Sequence, residues 1–288
     1  MDGIIIVDKP AGWTSHDAVA KLRGALKIRR IGHGGTLDPM ATGVLPVFAG
    51  RATRAADFLT NAKKEYVAGL RFGIVTDTQD ITGNILDIYE AAVTEAGLNA
   101  VIPHFLGAQK QVPPMFSAVR YKGKKLYELA RKGVEVERPA REIFIYEIEL
   151  LCNGGENEFL LRIACSKGTY IRTLCHDIGA ALGCGGVLSS LRRTVAGAFD
   201  IDMAHPLDVI LDAVSTGDAK KVMRPIDSAF HEYPAAALTE DQARKCRNGA
   251  RCEAGDISEG QYRFYDPDGI FFLLGTVTNG EIKANKRF

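Results

Sequence analysis

Gly32-His33-Gly34-Gly35-Thr36-Leu37-Asp38-Pro39-Met40-Ala41-Thr42-Gly43 places four glycines in twelve residues. That density calls for unusual backbone dihedrals or for close approach of the backbone to something else. The segment is not a phosphate cradle. A P-loop ends in Gly-Lys-Ser/Thr and a dinucleotide loop needs Gly-x-Gly-x-x-Gly, and neither pattern is present. Its one carboxylate, Asp38, stands directly before Pro39. Such an aspartate serves a turn as readily as it serves chemistry, because its side chain bonds nearby backbone amides. Spacing alone names no reaction.

Outward from this loop, strand and helix signals mix without a regular repeat. On the N-terminal side Gly3 to Val7 reads as a short buried strand. Ser15 reads as the N-cap of a helix whose apolar face is Ala18, Val19, Leu22 and Leu26. On the C-terminal side Val44 to Phe48 suits a strand and Arg51 to Leu59 a short helix. Tyr66, Ala68, Leu70 and Phe72 alternate as one side of a half-buried strand. Strands are expected again at Ile143 to Leu151 and Phe159 to Ser166. A helix then opens at Gly168-Thr169, with Ile171, Leu174, Ile178 and Leu182 on its apolar face. Irregular mixing of this kind predicts an α+β fold rather than a βαβ repeat. Near residue 230 the character changes. Thr239 to Gln242 has capping-box spacing, Asn248-Gly249 a helix stop and Asn279-Gly280 a hairpin turn. The expected division is a main domain over 1–229 and a small β-rich module over 230–288. A module of that size is near the lower limit of what folds alone and is expected to lean on the main domain.

Hydrophobic residues make up 46% and charged residues 25%, the balance of a globular protein that buries its own core. Lys and Arg total 36 against 35 Asp and Glu, so total charge does not mark a nucleic-acid binder. The distribution is more informative. Between Lys110 and Arg141 lie nine basic and three acidic residues. Pro113-Pro114, Gly123, Gly133 and Pro139 punctuate the stretch, and helical spacing survives only around Leu126, Leu129 and Ala130. It reads as a surface loop–helix–loop, either a solvated charged face or an element that grips a polyanion. The N-terminus lacks the basic start and long apolar run of a signal peptide, and no run approaches about twenty apolar residues. A cytoplasmic protein without membrane contact is expected. The six cysteines form no Cys-x-x-Cys pair and read as reduced, small apolar residues.

The Gly32–Gly43 segment resembles the catalytic motif of the TruB family of tRNA pseudouridine synthases, and the likeness extends along the chain. Lys9-Pro10-Ala11-Gly12-Trp13-Thr14-Ser15 resembles the family's opening motif. Lys64-Glu65-Tyr66 resembles the entry to its tyrosine strand, and Gly73 to Gly83 its Thr-Asp-Thr loop. Pro113-Pro114, Phe116-Ser117-Ala118 and Gly123 to Arg131 are similar to its mobile inserted arm, placed here at 109–141. Cys165 to Thr173 resembles its arginine motif and Leu191-Arg192-Arg193-Thr194 the one after it. The 230–288 module resembles, less specifically, a PUA-type RNA-binding domain. Two positions depart from the family pattern: Gly34 stands where Thr is expected, and Arg120 where Lys is usual.

The resemblance implies a largely antiparallel mixed sheet flanked by helices, and an isomerase acting on the uridine at position 55 in the T-loop of tRNA. It implies Asp38 as a nucleophile attacking either C6 of the uracil or C1′ of the ribose. An unperturbed aspartate is ionised at neutral pH, whereas burial favours its neutral form, so an opposing cation is needed. Arg172 is the residue the resemblance assigns. Tyr66 would lie against the target base, Tyr170 beside it, and Leu191 would give apolar contact. His33 would fill the space left by the extruded base. Lys9 and the arm residues Arg120, Lys122, Lys124 and Arg131 would contact RNA. No cofactor is expected, because the isomerisation is redox-neutral. Asp77 and Asp80 lack the further ligands of a calcium loop. A stand-alone monomer with no obligate protein partner is the first reading. A tRNA-remodelling chaperone, alone or alongside catalysis, and a guide-RNA-dependent relative are the others.

Overall fold

The computed structural model describes every residue from Met1 to Phe288. Its first strands and helices are β1 (Gly3–Lys9), α1 (Ser15–Leu26), β2 (Ile31–His33), β3 (Thr42–Ala49), α2 (Ala56–Asn61), β4 (Lys64–Phe72), β5 (Ile74–Thr76), β6 (Ile85–Ile88) and α3 (Glu95–Val101). The basic stretch and the chain beyond it contribute β7 (Gly107–Gln111), β8 (Arg120–Tyr121), β9 (Lys124–Lys125), α4 (Leu126–Ala130), β10 (Arg141–Gly155), β11 (Glu158–Cys165), α5 (Ile171–Ala181) and β12 (Gly186–Ala196). The chain ends with β13 (Phe199–Asp200), β14 (His205–Pro206), α6 (Leu207–Ser215), β15 (Met223–Arg224), β16 (Ala235–Ala237), α7 (Glu240–Asn248), β17 (Gly260–Tyr265), β18 (Phe271–Thr278) and β19 (Glu281–Arg287). The class is mixed α+β, as the irregular order of signals predicts. No helix is long and apolar enough to cross a membrane.

The chain forms two compact units. One comprises Met1–Asp38, Val44–Thr60 and Gly197–Phe288. In it β1 is hydrogen-bonded to β14 in parallel and to β15 antiparallel, and β2 runs antiparallel to β3. Ile4, Ile5, Ile6 and Val7 are almost wholly buried. A strand covered on both faces reads as a continuous apolar run, as this one does. Helix α1 is capped one residue earlier than the sequence implies, because Thr14 rather than Ser15 is the N-cap. The Thr14 hydroxyl accepts from the Asp17 amide at 3.0 Å, and the Asp17 carboxylate accepts from the Thr14 amide at 3.0 Å. This capping box satisfies the helix start and frees the Ser15 hydroxyl for another partner.

Residues 230–288 belong to the same unit. They carry a four-stranded sheet ordered β16-β17-β18-β19, with Leu238, Cys246, Cys252, Phe264 and Leu273 in its core. Thr239 and Gln242 form the expected capping box of α7, and Gly249 ends the helix at φ 74°. Asn279 and Gly280 both have positive φ, as a two-residue hairpin turn requires. Phe230 bridges the module to earlier chain, its ring 5.2 Å from that of Phe58 and 5.5 Å from that of Phe288.

The other unit comprises Pro39–Gly43 and Asn61–Ala196. Its sheet runs β12-β4-β11-β10-β7, antiparallel throughout. The first residues of β3, Thr42 and Gly43, pair in parallel with Arg192 and Arg193 of β12. Tyr66, Ala68 and Leu70 face the same side as their β11 partners Ile163, Leu161 and Phe159, and all six are buried. The opposite side is polar. There Arg162 lies 2.9 Å from Glu147 and 3.3 Å from Glu65. The basic stretch is more ordered than a loop–helix–loop: β8 and β9 form a small hairpin ahead of α4. Lys122 and Gly123, both at positive φ, make its turn.

Candidate active site

Asp38 is half-buried, and the chain on each side of it is pinned. On the N-terminal side the Leu37 amide donates to the buried Ser15 hydroxyl at 2.8 Å, and that hydroxyl donates to the Leu37 carbonyl at 3.2 Å. One hydroxyl thus holds both polar groups of the residue preceding the carboxylate. On the C-terminal side Gly43 has φ +98°, and a Cβ there would lie 2.2 Å from the Arg193 carbonyl oxygen. Only glycine lets these two strands come together at that point. Gly34, which departs from the family pattern, is buried where a Cβ would press on the Phe48 ring at 2.9 Å. His33 ends β2 opposite Val47 and is half-buried.

Lys9, expected among the RNA contacts, is 0% exposed. Its ammonium donates to the Pro10 carbonyl at 2.8 Å and the Trp13 carbonyl at 2.6 Å. In this position it braces the turn that delivers Thr14 and Ser15 to α1. The motif Lys9 to Ser15 therefore has a local physical meaning: lysine holds the turn, threonine caps the helix, and serine holds the aspartate loop.

In the unit that contains β4, Tyr66 is cross-strand to Arg193 on β12 and Ile163 on β11, and Leu191 is cross-strand to Ala68. Tyr66 and Leu191 are each 8% exposed, a mostly buried aromatic and aliphatic pair on neighbouring strands. Arg193 is 1% exposed and Lys64 is 6% exposed on the same face of β4 as Tyr66. The Lys64 ammonium donates to the Ala62 carbonyl at 2.7 Å. Burial, and then the Arg193 charge, push its pKa down to about 8. Burial likewise raises the Cys165 thiol to about 11, so this cysteine stays protonated and unreactive at neutral pH.

Arg172 is 4% exposed. Helix α5 begins at Ile171, later than Gly168-Thr169 suggests, with Tyr170 as N-cap. This puts Arg172 in the first turn. Its Nη1 donates to the Thr78 carbonyl at 2.8 Å, its Nη2 donates to the Phe116 carbonyl at 2.9 Å, and its Nε lies 3.7 Å from Asp80. Asp80 also accepts from Thr78 and Thr82, and Asp77 accepts twice from Asn84. Both carboxylates brace the 76–84 turn, and no group of three or more potential metal ligands occurs.

One positioned residue carries no advance signal. Gln111, buried at the end of β7, accepts from the Tyr170 amide at 2.8 Å and donates to the Tyr170 carbonyl at 3.0 Å. Among the arm residues, Arg120, Lys122, Lys124 and Arg131 are exposed. Lys122 lies over the Tyr121 ring at 5.3 Å, and Arg131 over the Tyr127 ring at 5.3 Å.

Comparison with known proteins gives the family of the chain. Residues 23–171 match the N-terminal domain of TruB family pseudouridylate synthases, and residues 172–231 match a tRNA pseudouridylate synthase B C-terminal domain. A tRNA pseudouridine synthase B of Syntrophomonas wolfei is 42% identical over 284 residues, covering 97% of this chain and 94% of its own. One of an Azoarcus species is 40% identical over 286 residues, covering 99% and 94%. Among solved structures, a Cbf5-Nop10-Gar1 complex matches with a TM-score of 0.75 at 28% identity, covering 99% of this chain and 84% of that one. With nearly its whole length matched at this identity, the chain belongs to the TruB family of tRNA pseudouridine synthases, isomerases that modify tRNA.

Proposed function

We propose that this enzyme converts the T-loop uridine at position 55 of tRNA to pseudouridine, acting alone in the cytoplasm with Asp38 as nucleophile. The observation that carries this reading is the aspartate loop itself, a half-buried carboxylate between a residue clamped by Ser15 and a glycine whose missing Cβ would collide with the Arg193 backbone. Such a build fixes a reacting group within the narrow tolerance that covalent catalysis demands. The carboxylate adds to the uracil or to the ribose, and the N1–C1′ bond breaks. The base turns, a C5–C1′ bond forms, the bond from the carboxylate to the substrate breaks to regenerate free Asp38, C5 loses its proton and N1 gains one. Atoms and electrons balance without a cofactor.

Tyr66 and Leu191 supply the flat and apolar surfaces against the extruded uracil, and Tyr170 packs nearby. Arg172 orients the nucleophile, and His33 occupies the gap left in the RNA. Extrusion costs a few kcal/mol, which the arm and the 230–288 module offset through contacts along the RNA backbone. The stand-alone form is favoured by about 40% identity over nearly full length to enzymes named tRNA pseudouridine synthase B. Identity to chains of two solved H/ACA ribonucleoprotein structures is 27% and 26%. The test is incubation of the purified chain with an unmodified tRNA transcript, followed by base-resolution mapping of pseudouridine. One new site, at the T-loop uridine, is expected. Modification elsewhere, or none until a guide RNA is added, would refute the proposal.

A further inference from the structure

The inserted arm is fastened at its stem to the helix that carries Arg172. Gln111, the last residue before the arm leaves the sheet, pairs across the stem with Arg141, the first residue after it returns. The Gln111 side chain is 5% exposed and does not serve its own strand. A primary amide carries an acceptor and a donor side by side, as a peptide does. Here it meets both backbone groups of Tyr170, as a neighbouring strand would, at 2.8 and 3.0 Å. Two residues further on, Arg172 donates to the carbonyl of Phe116, which lies within the arm. The adjacent Ser117 carbonyl accepts from Tyr127 in α4, and the Val119 carbonyl accepts from Leu126. Hydrogen bonds therefore run from the hairpin and helix of the arm through residues 116–119 to Arg172, while at the stem of the arm Gln111, paired with Arg141, holds Tyr170 at the start of the same helix.

We propose that Gln111 is a positioning residue that couples the arm's grip on RNA to the orientation of Tyr170 and Arg172. The inference rests on the functional reading given under the proposed function. An uncharged amide of this length is required. Glutamate would still accept from the Tyr170 amide but would set its oxygens against the Tyr170 carbonyl, and asparagine is one methylene too short to meet both groups. The coupling makes the reaction rate depend on arm engagement even when RNA is saturating.

The test is a double-mutant cycle on the full chain with tRNA transcript. Four proteins are compared, wild type, Gln111→Glu, Lys122→Ala with Lys124→Ala, and all three changes together, reading both RNA affinity and single-turnover rate at saturating RNA. Gln111→Glu is expected to slow the single turnover by about tenfold or more while leaving affinity within about twofold. The arm pair should weaken affinity and also lower the saturated rate. In the triple variant it should still weaken affinity but lower the rate no further. Independent, multiplicative rate losses, or a Gln111→Glu enzyme at the wild-type rate, would overturn the proposal. Amide hydrogen exchange across 168–175 gives a second readout without turnover. RNA should slow exchange there in wild type and not in the Gln111 variant, and equal slowing in both would overturn the coupling. A wild type that made no pseudouridine would count against the functional reading alone, and the exchange experiment would then decide this one.

Discussion

Replacing Gly43 by alanine tests how closely the backbone is packed beside the aspartate loop. The new Cβ would stand 2.2 Å from the Arg193 carbonyl oxygen and 2.9 Å from its amide nitrogen, whereas ordinary contact begins near 3.4 Å, a deficit of about 1.2 Å. The obstacle is backbone on both sides, so no side chain can turn away. The residue must also hold φ +98°, which costs a non-glycine residue about 1–3 kcal/mol. Parting the strands weakens the short parallel pairing of Thr42 and Gly43 with Arg192 and Arg193, each lost hydrogen bond adding about 1 kcal/mol. The sum is about 3–5 kcal/mol, at the severe end for one substitution. A shift of about 1 Å in a reacting group costs about a hundredfold in rate. Gly217→Ala is the control, since Gly217 has φ +84° with nothing within 4 Å of a Cβ and carries the dihedral cost alone. Thermal melts and single-turnover rates should separate the two, with Gly43→Ala losing rate and the larger share of stability and Gly217→Ala losing only the dihedral cost of about 1–3 kcal/mol and no rate. Equal effects on stability, or a wild-type rate for Gly43→Ala, would refute the reasoning.

Ser15→Ala should leave α1 capped by Thr14 but strand the buried Leu37 amide, destabilising by about 1–3 kcal/mol and slowing turnover; an unchanged rate would show that the loop needs no clamp there. Lys64 gives a pH prediction. Its pKa is about 8 in the fold against an ordinary value of 10.5, so between those values the unfolded chain holds more protons and stability rises with pH. The folded protein bears the full penalty of the buried charge below pH 8. Relative to Lys64→Met, wild type should therefore gain about 2 kcal/mol between about pH 7 and about pH 10.5, measured by denaturant melts of both. A difference that does not move with pH would contradict the assignment.

The sequence makes the outer parts of this fold easy to read and conceals its middle. β1, β4 and the 230–288 hairpins follow from apolar runs, alternation and Asn-Gly chemistry, because each has a clean period and ordinary turns. The strand β12, which joins Tyr66's strand to the aspartate loop, does not. Its residues Gly186 to Ala196 carry two register irregularities, between Leu188 and Ser190 and between Arg193 and Val195. These break the two-residue period on which strand recognition depends. Thr14 and Ser15 show a different limit. Both are good caps, and only the partner at Leu37, far along the chain, decides which one is spare. Gln111 is invisible for the same reason, since a buried amide has no periodicity and its partner lies 59 residues away. Lys9 is given an RNA contact only by the resemblance, and lysine is rarely enclosed; its carbonyl partners at Pro10 and Trp13 come from the turn it begins.

The most direct test of the central claim is Asp38→Ala, assayed side by side for tRNA affinity, thermal stability and pseudouridine formation in a single-turnover experiment with excess enzyme. The account predicts wild-type folding, affinity for the transcript within a few-fold of wild type, and no pseudouridine at the T-loop uridine over many wild-type half-lives. Pseudouridine formed by the variant at a rate near wild type would show that Asp38 is not the nucleophile.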